Sequence, residues 1–195
     1  PSGIYESLFR YRSSMAVQEK AQLAQAALRH IEPGQVVMLD DSTTVTALAP
    51  LLAARTPISV VTNSLAAADV LRGLDGVDLL CPGGQYHRTY DAYIGHLCET
   101  ALGRLRADVA ICSASAVDGA TAFIQDSQIV RIKQAMLASA RQRILLVDGS
   151  KFGLGTRSQR YSMLVTDGVV TQLNIEQGGE FNHGYTYSGH PVACA

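Results

Sequence analysis

Short apolar runs that end in small polar residues recur along this chain, and helical stretches separate them. Val36-Val37-Met38-Leu39 ends in Asp40-Asp41-Ser42-Thr43-Thr44. The run 58–61 ends in Thr62-Asn63-Ser64, and the run 77–80 in Cys81-Pro82-Gly83-Gly84. The runs 109–112 and 144–147 lead into polar, glycine-containing loops. Between them, Val17, Ala21, Leu23, Ala24, Ala27, Leu28 and Ile31 fall at helical spacing, and Pro33-Gly34 closes that helix. Further helices are expected over 45–54, 65–71, about 96–105 and 129–141, with a β-flavoured stretch over 85–94 and a last short strand over 162–165. Apolar strands without polar alternation are buried on both faces, and alternating them with helices gives a parallel sheet covered on both sides. The expected fold class is α/β, a mostly parallel sheet with helices on both faces.

Composition narrows the setting. With 195 residues and 47% hydrophobic content the chain can bury one sizeable core. Its 16 basic and 17 acidic residues give a net charge of -1, whereas a duplex-binding surface carries a clustered basic excess. DNA is therefore not expected to be held by these residues directly. No apolar run reaches the ~20 residues of a membrane-spanning helix, and no signal peptide opens the chain. Cys81, Cys98, Cys112 and Cys194 are scattered without metal-ligand spacing. They read as reduced thiols of a cytoplasmic protein, with Cys81 and Cys112 buried at the ends of apolar runs. The first residue is Pro1, not Met, and the expectation is a piece of a longer chain.

Ligands of open α/β sheets sit at the carboxyl ends of the strands, and here those ends carry the polar residues. Asp40, Asp41, Ser42, Thr43 and Thr44 form the clearest candidate. A strand leading through short hydroxyl residues into a helix gathers N–H groups and hydroxyls suited to a phosphate. Ser42 or Thr43 as a plain helix cap is the alternative. Asn63 follows the second strand. Gly83 and Gly84 follow the third, as a turn or as a place of close backbone approach. Asp118 with Gly119, and Lys151 as a point charge for a phosphate, complete the expected rim. No metal and no cofactor are expected.

Taken in order, Leu39-Asp40-Asp41-Ser42-Thr43-Thr44, Val60-Val61-Thr62-Asn63-Ser64, Pro82-Gly83-Gly84, Ile94-Gly95, Lys133-Gln134-Ala135-Met136 and Ser150-Lys151-Phe152-Gly153 resemble the C-terminal sensor domain of DeoR-type regulators. The resemblance covers most of residues 19–167. It implies a fold similar to ribose-5-phosphate isomerase and the CoA-transferase group, and a phosphorylated sugar or related metabolite as effector. It also implies a homo-oligomer, dimer or tetramer, and DNA binding only through a separate N-terminal domain. Asp40, Ser42, Thr43 and Thr44 then map to the phosphate loop, with Asn63, Gly83, Gly84 and Lys151 around it. Lys133 matches a family lysine, though a surface place on its helix is equally compatible. The chain departs from the pattern at Ser42, where the family usually has Gly. It departs again at Ser113-Ala114-Ser115-Ala116-Val117-Asp118, which keeps only the last aspartate of the family stretch.

The expected organisation is a linker remnant over 1–15, a sensor domain over 16–177 and an atypical tail over 178–195. The tail from Phe181 to Ala195 resembles a fragment of class III pyridoxal-phosphate aminotransferases, too short to be one. Three functions remain open at this stage. They are a sensor domain of a transcription regulator acting as a repressor, a sugar-phosphate isomerase-like enzyme, and an oligomerisation module with a degenerate pocket. The sensor, with no catalytic residues, is the preferred reading.

Overall fold

The computed structural model describes residues 8–118, 121–147, 160–166 and 169–176. The expected tail, Lys151 and Gly119 lie outside the described residues. The chain runs through helices α1 (Phe9–Ser14) and α2 (Val17–Leu28) into strand β1 (Val36–Leu39) and a single helical turn, α3 (Thr43–Thr46). A 3-10 segment (Ala49–Arg55), β2 (Ile58–Thr62), α4 (Leu65–Leu71), β3 (Val77–Leu80) and the hairpin of β4 (Gln85–His87) and β5 (Ala92–Ile94) follow. Next come α5 (His96–Arg104), β6 (Ala107–Ser113) and a second hairpin of β7 (Ala116–Asp118) and β8 (Thr121–Phe123). Helix α6 (Ser127–Ser139) and strands β9 (Ala140–Val147), β10 (Arg160–Thr166) and β11 (Val169–Glu176) close the described chain.

The main sheet has the order β11-β10-β9-β6-β1-β2-β3. Strands β9, β6, β1, β2 and β3 are mutually parallel, and β10 and β11 extend the sheet antiparallel. The expected mostly parallel sheet is thus the observed one. Alternate residues of each central strand serve opposite cores. Val37, Leu39, Val60, Val109, Ile111, Ile144 and Leu146 join α2, α4 and the 3-10 segment in one cluster. Met38, Val61, Ala110 and Cys112 join α5 and α6 in the other. This is the period-two consequence of a strand buried on both faces.

Four expectations are corrected. The helix over 45–54 is instead one α-turn at Thr43–Thr46 followed by the 3-10 segment; Pro50 near the start of that segment has no N–H to continue an α-ladder. Strand β3 is not buried on both faces but alternates between half-buried and exposed residues, because it forms the sheet edge. Cys81 is exposed for the same reason, whereas Cys98 and Cys112 are buried. The polar loop after β6 contains the β7–β8 hairpin. Among the described residues no helix is long and apolar enough to cross a membrane.

Chain order places a topological switch at β1. The chain moves from β1 to β2 and β3 on one side, then returns to lay β6 on the other. The crevice outside the carboxyl ends of β1 and β6 is where such a sheet accepts ligands. Truncating the fully buried Ile111 to Ala should cost about 2–5 kcal/mol in urea unfolding. Leu97→Ala, at a residue 74% exposed on α5, should change stability by less than about 0.5 kcal/mol.

Candidate strand-end binding site

The switch point holds a buried charged cluster. Asp40, Asp41 and Lys133 are each at most 4% exposed. One Asp40 oxygen, Oδ1, accepts the Ser42 N–H at 2.9 Å. The other, Oδ2, accepts the Ser113 N–H at 2.7 Å and the Lys133 ammonium. A single carboxylate therefore ties the end of β1 to the end of β6 and to α6. Lys133 Nζ also lies 3.8 Å from Asp41 Oδ1. Lys133 reaches this place because it stands on the apolar stripe of α6, four residues after Ile129 and three before Met136, both buried.

The electrostatics follow from that burial. Desolvation alone pulls the Lys133 ammonium toward deprotonation, but the Asp40 and Asp41 carboxylates outweigh it and hold the group above the ordinary lysine value. Burial raises the Asp41 carboxyl above the ordinary range; Lys133 pulls it down, Asp40 pushes it up, and Arg12 of α1 pulls it down. The Cys98 thiol on α5 is pushed up to about 12, by burial first and by Asp41 second.

The turn after β1 is built locally. Ser42 Oγ accepts the Val45 N–H at 3.1 Å and so caps this turn. Its hydroxyl proton remains a donor. Thr43 and Thr44, both buried, open the one-turn helix α3. The turn after β2 repeats the construction, with Thr62 Oγ1 accepting from Ser64 N and Ser64 Oγ from Ala67 N. Between them Asn63, 1% exposed, donates from Nδ2 to Tyr93 O at 3.0 Å, and its backbone carbonyl accepts the Tyr93 N–H at 2.8 Å. Those bonds seat β5 over the strand ends.

Gly83 and Gly84 take positive φ angles of 70° and 132°. A Cβ on Gly84 would stand 2.6 Å from Ile94 O and 3.1 Å from Cys98 Cβ. Close approach is therefore a requirement of the packing of β5 and α5 at Gly84, whereas a Cβ on Gly83 would meet nothing within 4 Å. The strand ends thus gather Asp40, Asp41, Ser42, Thr43, Thr44 and Asn63, with Gly84 packed beside Cys98. Asp118 ends β7 opposite Thr121 at the tip of the second hairpin.

Sequence reasoning left Lys133 open between a family position and a helix surface; its place between Ile129 and Met136 was the signal. Arg12 escaped notice altogether. Its guanidinium donates to Thr89 O at 3.1 Å and lies 5.6 Å from the Tyr90 ring centroid, while Phe9 N–H bonds the same Thr89 carbonyl at 2.9 Å. The backbone carbonyl of Arg12 accepts the buried ammonium of Lys20. Nothing in its local sequence pattern distinguishes Arg12 from a solvated arginine.

A parallel α/β sheet with polar residues gathered at its switch point is the arrangement in which open α/β sheets accept ligands. The chain belongs to the DeoR C terminal sensor domain family, which it matches over residues 15–172. It is 29% identical over 170 residues to the uncharacterized HTH-type transcriptional regulator YgbI of Escherichia coli K12, covering 84% of this chain and 66% of that protein. It is 29% identical to the putative aga operon transcriptional repressor of Escherichia coli O157:H7, covering 85% of this chain and 64% of that protein. It is 31% identical to the glycerol-3-phosphate regulon repressor of Haemophilus influenzae, covering 78% and 60%. The chain thus spans about two thirds of the length of these curated relatives. In fold it is similar to a D-ribose-5-phosphate isomerase in complex with phospho-erythronic acid, with TM-score 0.53 and 20% identity over 73% of this chain and 58% of that one.

Two outcomes test the cluster. Lys133→Met leaves two carboxylates buried without their ammonium and should destabilise the fold by about 3–5 kcal/mol in urea unfolding. For Asp41, the folded carboxyl keeps its proton to higher pH than the unfolded one. Folding therefore takes up protons between the ordinary value of 3.8 and the raised one, and stability falls as pH rises through that interval. Asp41→Asn should remove this loss, leaving the variant more stable than the parent above the interval and flatter across it.

Proposed function

We propose that this domain senses a phosphorylated sugar-type metabolite and passes its presence to DNA-binding parts of a transcription regulator, as a repressor in the cytoplasm. The observation that carries the reading is the pair of capped turns at the switch point, rich in hydroxyls and N–H groups and held in place by the buried Lys133–Asp40–Asp41 cluster. On this reading Ser42, Thr43 and Thr44 hold the phosphate, with Asn63, Gly83 and Gly84 beside it. Asp118, at the end of β7, and Lys151, which follows β9 in the sequence, complete the proposed rim. Asp40 acts through Lys133, whose ammonium it orients. Relatives named as a glycerol-3-phosphate regulon repressor and a lactose phosphotransferase system repressor support a phosphorylated effector.

A non-enzymatic role fits Asp40, whose carboxylate is already occupied by the N–H groups of Ser42 and Ser113 and by the Lys133 ammonium. The curated relatives reported above are named as regulators. Signalling requires that the effector bind two arrangements of a homo-oligomer, dimer or tetramer, with different affinity. Helix α1 is the proposed outlet. Its Arg12 and Phe9 grip the β4–β5 hairpin at Thr89, and β5 is bonded to Asn63 at the site.

A thermal-shift screen against hexose 6-phosphates and glycerol 3-phosphate tests this directly. A ligand at ~100 times its dissociation constant should add about 2.7 kcal/mol of stability. Thr43→Ala should weaken the hit, and the same ligand should slow hydrogen exchange of the α1 amides. A flat screen with a folded protein overturns the phosphorylated-effector reading.

A further inference from the structure

Two buried acceptors at the ends of neighbouring strands find no donor among the described residues, Asp41 Oδ1 and Asn63 Oδ1. The residues are 2% and 1% exposed. An acceptor buried without a donor costs free energy that a ligand's O–H group can recover.

The same device places both. After β1, Asp40 Oδ1 accepts from Ser42 N at 2.9 Å and Ser42 Oγ from Val45 N at 3.1 Å. After β2, Thr62 Oγ1 accepts from Ser64 N at 3.1 Å and Ser64 Oγ from Ala67 N at 3.2 Å. Asp41 and Asn63 are the middle residues of these two turns, on strands paired in parallel with Leu39 opposite Thr62.

Each atom is unsatisfied for a definite reason. The amide of Asn63 is oriented by its bond from Nδ2 to Tyr93 O, so Oδ1 is the atom left over. Asp41 Oδ1 stands 3.8 Å from Lys133 Nζ, beyond hydrogen-bond length, because that ammonium is bonded to Asp40.

Charge selects the partner. Among the described residues Asp40 and Asp41 face one ammonium, Lys133. This corner therefore repels an anionic oxygen and accepts a neutral hydroxyl donor. Arg12 is the next cation whose charge reaches Asp41, and it is already engaged at Thr89 and Tyr90.

We propose that Asp41 Oδ1 and Asn63 Oδ1 form a hydroxyl-reading subsite that accepts hydrogen bonds from the polyhydroxyl part of the effector. The inference rests on the sensor reading above and deepens it. The phosphate contributes affinity at residues 42–44, and the Asp41–Asn63 pair chooses among phosphorylated compounds by their hydroxyls.

The test is calorimetric titration of the 195-residue protein with methyl phosphate, glycerol 3-phosphate, glucose 6-phosphate and the neutral polyol sorbitol. The best hydroxylated phosphate should bind ~10-fold or more tighter than methyl phosphate, as hydrogen bonds to buried acceptors discriminate. Asp41→Ala and Asn63→Ala should each collapse that ratio toward one, weakening the hydroxylated compounds more than methyl phosphate. Asp41→Leu, which keeps a side chain of similar size but carries no acceptor, should lose most of the ratio even where the alanine variant fails to fold. Ratios unchanged in the variants, or methyl phosphate binding as well as the hydroxylated compounds, overturn the subsite. Sorbitol binding that depends on Asp41, without binding of any phosphate, upholds the subsite and removes the phosphate from the sensor reading. No binding of any hydroxylated probe overturns both.

Discussion

The bond between the Lys133 ammonium and the Asp40 carboxylate holds the carboxyl edge of the sheet together. Burying two charges is expensive, and the attraction between them offsets the cost only when the remaining lone pairs are also satisfied. Asp40 meets that condition through the N–H groups of Ser42 and Ser113. The value of such a pair lies less in net stability than in the geometry it enforces. It fastens β1, β6 and α6 at the point where the chain reverses its order across the sheet, and every other feature of the site is placed relative to it.

Away from that point the fold is ordinary two-sided burial. Each central strand divides its side chains between two apolar cores, so its polar residues are confined to the ends. At the carboxyl ends of β1 and β2 the backbone leaves the sheet through a side-chain-closed turn and a serine cap. This repeated construction satisfies the backbone locally, which frees the intervening side chains for other partners. Tyr93 takes part of Asn63, and Lys133 stands near Asp41 without bonding its Oδ1. The polar edge is therefore selective about what completes it, a property that neither core possesses.

Much of this was legible in the residues. The pattern of apolar runs and helical stretches specified a parallel α/β sheet because period-two burial and helical spacing are local signals. Strand β1 at 36–39 and helix α4 at 65–71 were readable to the residue. The order of strands was not, since an edge strand such as β3 and a central one carry similar apolar runs when one of the edge's faces is half covered. The polar strand ends were legible as a candidate site, and Ser42 as a candidate cap. The Asp40–Lys133 pair spans 93 residues, and no local spacing encodes it. Only the position of a lysine on the apolar stripe of α6 hinted that it had a buried partner.

Charge balance links the site to the first helix. The cluster of Asp40, Asp41 and Lys133 carries two carboxylates to one ammonium, and among the described residues Arg12 of α1 also acts on Asp41. Arg12 is held by Thr89 and Tyr90, and Tyr90 packs with Ala92, Ile94 and Ile129, the last one turn before Lys133 on α6. A packed, hydrogen-bonded route thus runs from α1 through the β4–β5 hairpin to both sides of the strand-end cluster. On the proposed reading, a ligand that changes the charge or the hydrogen bonding around Asp41 alters the field that Arg12 experiences. By linkage, a shift in α1 changes the affinity for that ligand by the same factor. The helix that opens the domain would then belong energetically to the site, which is what a sensor joined to a separate output domain requires.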